Sequence, residues 1–578
     1  MYPVLRAPFQ TTLRLACLAL GVLCVLPACQ SNTPKQPRAD SAKPLIHTGL
    51  TPTTDTETNH TAESLLTWQF SGPITCADPS LRDTSRWDVR ELGNAPMSWK
   101  GLVGAGVIVA DLDGNNRLDI VRTRREGLQI FMQNMDGYFS RQDALVGDID
   151  LTQASSGTAA DFDGDGDKDL FIGRYSAPNV LLRNQRVESG ELFFTDASRE
   201  MALDPASWLT LDSSWSDIDL DGDLDLMVGN YSTLPPESGI HDPSRLYIND
   251  DGARFEDRSD WLPERVQDAF VFMTGWHDVN NDLYPDLMSI TDFFYVQRNA
   301  ILINENGVSL TVDPDNNFQR GFNGMGLAVG DLNGDEIHDF AQSSTLKLSW
   351  LLSSPFPKAA SKSLWIEHAL SVGLTLNEPI LGQFFGWGAE FGDLDNDTDL
   401  DLTMNWGFWD DHPRGTLGNS GRNQTDALWL QDASGELQDA SAAWEMDDTR
   451  AARGLIVADV NRDGWLDVVK AILDGPTLVY LSRCGEEHWL SLRGLDLTTK
   501  NPDAIGSKVR VTVGDQSWVR WVHAGSSSMF SGGPTTLHFG LGEHEVVDRI
   551  EWMWPDGTTS SVTDVAANQN ITARRLTP

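Results

Sequence analysis

Basic residues are scarce in this chain: 43 Lys and Arg stand against 84 Asp and Glu in 578 residues, a formal net charge of -41 with a pI near 4.4. That balance excludes nucleic acid and anionic membrane surfaces as partners, because both need clustered cations. It suits a cation-binding protein. Cysteine is scarce too, with five residues. Long hydrophobic runs are missing beyond residue 26, so no later segment is apolar enough to cross a membrane. There is no nucleophile elbow, no HExxH and no phosphate-binding glycine loop. Helical periodicity is also missing from the body of the chain. What remains is a chain too long for one small core, 40% hydrophobic, which calls for several domains or one large repetitive one.

The N-terminus carries Arg6 and Arg14 and no acid before the apolar run Leu15 to Leu26, too short to span a bilayer and the right length for the core of an export signal. "LPAC", Leu26 to Cys29, resembles a bacterial lipobox in which Cys29 is lipidated, although Pro27 is atypical there; ordinary cleavage is the alternative. Residues 1–28 are therefore read as a signal peptide and 29–64, rich in Thr, Pro, Ser and Asn, as a disordered tether. The protein is expected outside the cytoplasm, at an outer membrane or cell surface through its lipid or else secreted. With Cys17 and Cys24 in the signal and Cys29 acylated, Cys76 and Cys484 are left, enough for one disulfide in an oxidising compartment.

The pattern D-x-[DN]-x-[DN]-x-x-x-D occurs seven times. It reads Asp111, Asp113, Asn115, Asp119; Asp161, Asp163, Asp165, Asp169; Asp217, Asp219, Asp221, Asp225; and Asp278, Asn280, Asp282, Asp286. It continues as Asp331, Asn333, Asp335, Asp339; Asp393, Asp395, Asp397, Asp401; and Asp459, Asn461, Asp463, Asp467. Each acidic loop lies between short apolar runs, as in "GVIVAD" and "DLFIG", and two more such runs follow. Four short strands per unit and seven units predict an all-β fold, a seven-bladed β-propeller over residues 65–486, with an open solenoid as the rival. The seventh unit lacks a fourth strand, and "SRWDVRELG" ahead of the first unit resembles one. Sharing that blade between the chain ends would close the ring. Cys76 and Cys484 would then face each other as a lock on the closure.

Carboxylates at positions one, three, five and nine, with the position-seven carbonyl, can converge on one hard cation, and the ligand number favours calcium over magnesium. An EF-hand would need Glu at position twelve and flanking helices, where this chain has Ile172 and Val228 between strands. Paired catalytic carboxylates are not copied seven times, and a plain acidic turn does not require four positions in every copy. The first loop, with Asn115 at position five and Arg117 at position seven, is expected to bind weakest.

These loops, "GTAADFDGDGDKDLFIG" most clearly, resemble the FG-GAP/VCBS repeats of integrin α-subunit propellers and bacterial surface proteins. The segment from "HWLSLRG" to "NITARR", residues 488 to 575, resembles the ASPIC/UnbV domain. Together they resemble the cartilage acidic protein family and its bacterial relatives, which implies an exported calcium-binding protein with no established activity for most bacterial members. From its residues alone, 487–578 is a small β domain: Val509, Val511 and Val513, and Ile550, Trp552 and Trp554, recur with period two. His523, His538 and His544 lack ligand spacing and are read as structural.

Two long loops between second and third strands would decorate the face opposite the acidic loops. They offer Tyr231, His241 and Arg245, and Trp406, Trp409, Asp410, Asp411, His412 and Arg414, a mixture suited to sugar or protein contacts. The expectation is a recognition or adhesion module without catalysis, binding an extracellular protein or glycan and touching membrane only through its lipid. The alternatives are a polysaccharide lyase or hydrolase using His412 with Asp410 and Asp411, or a lectin.

Overall fold

A computed structural model describes residues 65–74, 87–93, 104–232, 242–292, 297–312, 318, 324–344, 348–353, 365–374, 385–407, 424–473, 475–482, 484–525 and 527–576. The export signal, the tether, Cys29, Cys76, His241, Trp409, Asp410, Asp411, His412 and Arg414 lie outside these residues. No helix among the described residues is long and apolar enough to cross a membrane.

Each acidic loop joins the first two strands of a four-stranded antiparallel sheet. The seven first strands are Val107–Ala110, Ala154–Ala160, Trp208–Ser216, Val271–His277, Gly324–Gly330, Gly386–Gly392 and Ala452–Ala458. Their side chains are almost all buried on both faces, which explains why the sequence shows continuous apolar or small-residue runs here instead of alternation. Each second strand begins at the position-nine aspartate. Six sheets take their four strands in chain order, the second and third being joined along Asp169–Ala177 and Trp208–Ser216. The seventh is completed from the other end of the chain: Trp87–Leu92 pairs antiparallel with Thr477–Ser482, from Trp87 opposite Ser482 to Leu92 opposite Thr477. Each first strand packs on the first strand of the next sheet, and Ala452–Ala458 returns to Val107–Ala110.

Two further sheets form the C-terminal part. One has the order Gln516–Trp521, Lys508–Val513, Val546–Met553, Thr559–Ala566. The other is Leu65–Phe70, Gln569–Leu576, His488–Asp496, Leu537–Gly542. The first strand of the repeat region as divided from the sequence thus belongs to the C-terminal part, with Leu65 opposite Leu576 and Phe70 opposite Ile571. The period-two residues Val509, Val511, Ile550, Trp552 and Trp554 are all buried between the sheets.

One C-terminal segment, running from Ala524 to Gly532, enters the space among the seven first strands. Val109 N–H donates to Gly532 O (2.9 Å), Gly532 N–H to Val107 O (3.1 Å), Trp215 N–H to Ala524 O (3.0 Å) and Ser528 N–H to Leu327 O (2.9 Å). Met529 and Phe530 are fully buried in one apolar cluster with Val107, Leu211, Phe272, Met325, Trp387 and Ile456, from first strands or their margins. Such close approach requires small residues on the strands. A Cβ on Gly106 would lie 2.3 Å from Phe530 O and one on Gly454 2.6 Å from Ser531 Oγ.

Candidate metal loops and the domain that covers them

All seven acidic loops share one backbone. Position four has φ between 58° and 74° (Gly114, Gly164, Leu220, Asn281, Gly334, Asn396, Arg462), and position six between 62° and 103° (Asn116, Gly166, Gly222, Leu283, Glu336, Thr398, Gly464). Two left-handed residues in alternation curl the chain around its odd-numbered side chains. The position-one carboxylate accepts the position-six N–H through Oδ2 in every loop, at 2.8–3.0 Å. The position-five side-chain oxygen accepts the position-seven N–H.

Position nine has a further role that the repeat pattern did not reveal. Its Oδ2 accepts the N–H of position two at 2.7–3.2 Å, and its Oδ1 accepts the N–H of the last residue of the third strand at 2.5–3.0 Å, in all seven sheets. The side chain of that last residue often continues the chain of bonds into the preceding sheet: Asn184 Nδ2 donates to Leu112 O, Asn249 Nδ2 to Phe162 O and Asn304 Nδ2 to Ile218 O. The visible signal was the Asn ending "NVLLRN", "RLYIN" and "AILIN".

Carboxylates from positions one, three and nine come together in loops one, two, three and six, as Asp111/Asp113/Asp119, Asp161/Asp163/Asp169, Asp217/Asp219/Asp225 and Asp393/Asp395/Asp401, with ligand oxygens within 4.8 Å of one another. Glu188, outside the repeat pattern, joins Asp163 and Asp165 in a further group. The other three loops carry Asn280, Asn333 and Asn461 at position three and so offer an amide oxygen in place of a carboxylate. In the first loop Asn115 Nδ2 donates to Asp113 Oδ2 at 3.0 Å, an internal bond that a cation would have to displace.

Charge and burial make these clusters unsatisfied as they stand. Asp111 Oδ1, Asp217 Oδ1, Asp393 Oδ1, Asp163 Oδ1 and Asp165 Oδ2 are buried without a hydrogen-bond partner. Burial, reinforced by neighbouring carboxylates, pushes Asp119 and Asp217 up to about 8 and Asp165 up to about 7. Asp393 and Asp401 rise well above the carboxylate range for the same reasons. A hard cation would supply the missing positive charge, and oxygen-only donors suit calcium or magnesium. The donor set therefore fits a metal ion.

Several of the loops are partly covered. The C-terminal part lies over them: Lys500 N–H donates to Gly222 O at 2.8 Å, Gly542 N–H to Asn396 O at 2.7 Å, and His538 Nε2 lies 3.0 Å from Gly464 O. Lys508 and Arg510 pair with Glu336 of the fifth loop, and Lys168 of the second pairs with Asp503. His523 packs 5.1 Å from His277, and His544 lies 6.4 Å from Trp518.

Two of the described members of the proposed ligand face are buried. Tyr231 is buried, donates to Asp292 Oδ2 at 2.9 Å and packs on Phe270 and Phe272. Trp406 is buried in the core of the sixth sheet. Both ended apolar second strands, where an aromatic is more useful as packing than as display. Arg245 pairs with Asp204 at 3.2 Å and lies 4.3 Å over the Trp208 ring. Tyr231 and Trp406 are thus committed to packing, while Arg245 is half-buried.

Residues 104–172 match the FG-GAP-like repeat and residues 497–576 match ASPIC and UnbV. No curated protein matches the chain. Among solved structures it is similar to BBS1N, in a crystal of the complex with ARL6DN soaked with lead, at 12% identity and a TM-score of 0.40, covering 69% of this chain and 98% of that one. It is also similar to the extracellular domain of the hybrid two component system BT3049 from B. thetaiotaomicron, at 8% identity and a TM-score of 0.37, covering 84% of this chain and 57% of that one.

Proposed function

We propose, for a chain that carries an FG-GAP-like repeat and an ASPIC and UnbV domain, an exported seven-bladed β-propeller that holds calcium in its acidic loops and presents the uncovered face as a recognition module. The observation that carries the calcium reading is the set of buried position-one oxygens of Asp111, Asp217 and Asp393 that have no partner within their loops. Ring closure is supported by the pairing of Trp87–Leu92 with Thr477–Ser482 and by the return of the last first strand to the first. In this reading Cys29 carries lipid, Cys76 pairs with Cys484 beside the closing strand, and the partner is an extracellular protein or glycan.

Calorimetric titration of the chelator-treated mature chain with calcium tests the metal reading, with melting followed in parallel. Saturable binding with a rise in melting temperature is expected. Absence of binding, with the same melt in calcium and in chelator, refutes it.

A further inference from the structure

Between the acidic loops and the C-terminal part lies a pocket of about 230 Å³ that none of the repeat motifs predicts. Three guanidiniums line it: Arg462 from the seventh loop, and Arg493 and Arg520 from the C-terminal sheets. They are poorly compensated. Arg462 Nη1 donates to Asn116 O at 3.1 Å and Arg520 Nη1 to Val519 O at 3.0 Å, both backbone carbonyls. Arg493 approaches Asp503 only to 3.7 Å, and that carboxylate already holds Lys168. The pocket is also lined by Glu390 and by three aspartates, Asp111, Asp393 and Asp459.

Those three aspartates are the position-one residues of the first, sixth and seventh loops, and their Oδ2 atoms are already held by loop N–H groups. A cation in these loops would take up much of the negative charge that faces the arginines, with Glu390 and Asp399 remaining nearby. We infer that the pocket binds a small hydroxylated carboxylate, of the size of a single uronic acid, held by Arg462, Arg493 and Arg520. This inference rests on the calcium reading. The volume is below the roughly 300–1,000 Å³ of drug-sized sites, so a monosaccharide-sized anion fits. Arginine forks match a carboxylate in two parallel bonds. Ser527, whose hydroxyl donates to Glu390 Oε1 at 3.1 Å, also lines the pocket beside Thr535 and can meet sugar hydroxyls.

The test titrates D-glucuronate, L-malate and D-glucose into the full mature chain, with calcium affinity measured first on the same sample. Saturable glucuronate binding in calcium with no binding of glucose is expected, weakened about tenfold or more in Arg493→Gln/Arg520→Gln and partly recovered in Arg493→Lys/Arg520→Gln. Retained saturable calcium binding and a cooperative melt in the variants show that they fold. Malate binding as tightly as glucuronate keeps the carboxylate site and removes the sugar. Calcium binding without any acid binding, or acid binding indifferent to both substitutions, overturns the inference and leaves the calcium reading intact. A chain that binds no calcium, yet binds glucuronate through these arginines, overturns the calcium reading and with it the account of how the arginines are freed, and keeps the acid site.

Discussion

Asp217 and Asp225 open and close the third loop, and the sequence gives no reason to treat them differently. In the structure Asp225 spends both oxygens on backbone N–H groups, of Ile218 at 2.9 Å and Asn249 at 2.8 Å, whereas Asp217 Oδ1 is buried with no partner. In Asp225→Asn a carboxamide NH₂ would face an N–H donor, and chemical denaturation should show a loss of about 1–3 kcal/mol with and without calcium. Asp217→Asn removes repulsion without removing a needed acceptor, since the amide oxygen can still take the Gly222 N–H. Its calcium-free melt should stay level or rise while calorimetry shows calcium binding weakened. The motif marks both residues; only the third strand, folded back beside the loop, gives Asp225 its second role as a strut. Glu390 supplies a pH signature. Burial, slightly opposed by Ser527, pushes it up to about 8 from 4.5. The folded chain then holds more protons than the unfolded chain between those values, so this residue lowers stability as pH rises from 4.5 to 8. Denaturation of Glu390→Gln across that window should show a flatter decline than wild type.

At the scale of elements, the closing strand was legible because its neighbours were repeated. With six sheets spelling out what a fourth strand looks like, "SRWDVRELG" could be matched to the gap in the seventh. The anchor is Trp87, 2% exposed, whose Nε1 donates to Trp444 O and whose ring meets Trp444 at 5.9 Å and Tyr480 at 6.0 Å. Trp87→Ala should cost about 3–5 kcal/mol in urea unfolding, as for other buried large-to-small changes. Val89, 45% exposed on the same strand, is the control, and Val89→Ala should leave the transition near its place. Equal effects from the two would mean that the strand contributes through its backbone ladder alone. By contrast, the assignment of Leu65–Phe70 to the C-terminal sheet was not legible, since its partner Gln569–Leu576 lies at the other end of the chain and an edge strand carries no label of its sheet.

For the whole molecule, several of the scarce cations of this acidic chain bridge the repeat region and the C-terminal part. Lys500 reaches Asp251, and Lys508 and Arg510 reach Glu336, across separations of more than 170 residues that no local pattern reports. Local traces of docking were small residues, as in "GAGVIVAD" and "ARGLIVAD", where Gly106 and Gly454 admit Phe530 and Ser531. The inserted segment makes the C-terminal part a component of the repeat core: Met529 and Phe530 are fully buried against first-strand side chains such as Val107 and Ile456. Removing residues 487–578 would expose those side chains to water and leave Val109 N–H and Trp215 N–H without their acceptors. A chain ending at Glu486 should therefore bind a hydrophobic dye and melt below the full chain, with calcium present in both. Phe530→Ala within the full chain separates the causes. It should lower stability by about 3–5 kcal/mol while keeping the Gly532 and Ala524 backbone bonds. A truncated chain that melts like the full one and takes up no dye would show that the first strands close among themselves and that the inserted segment only rests on them.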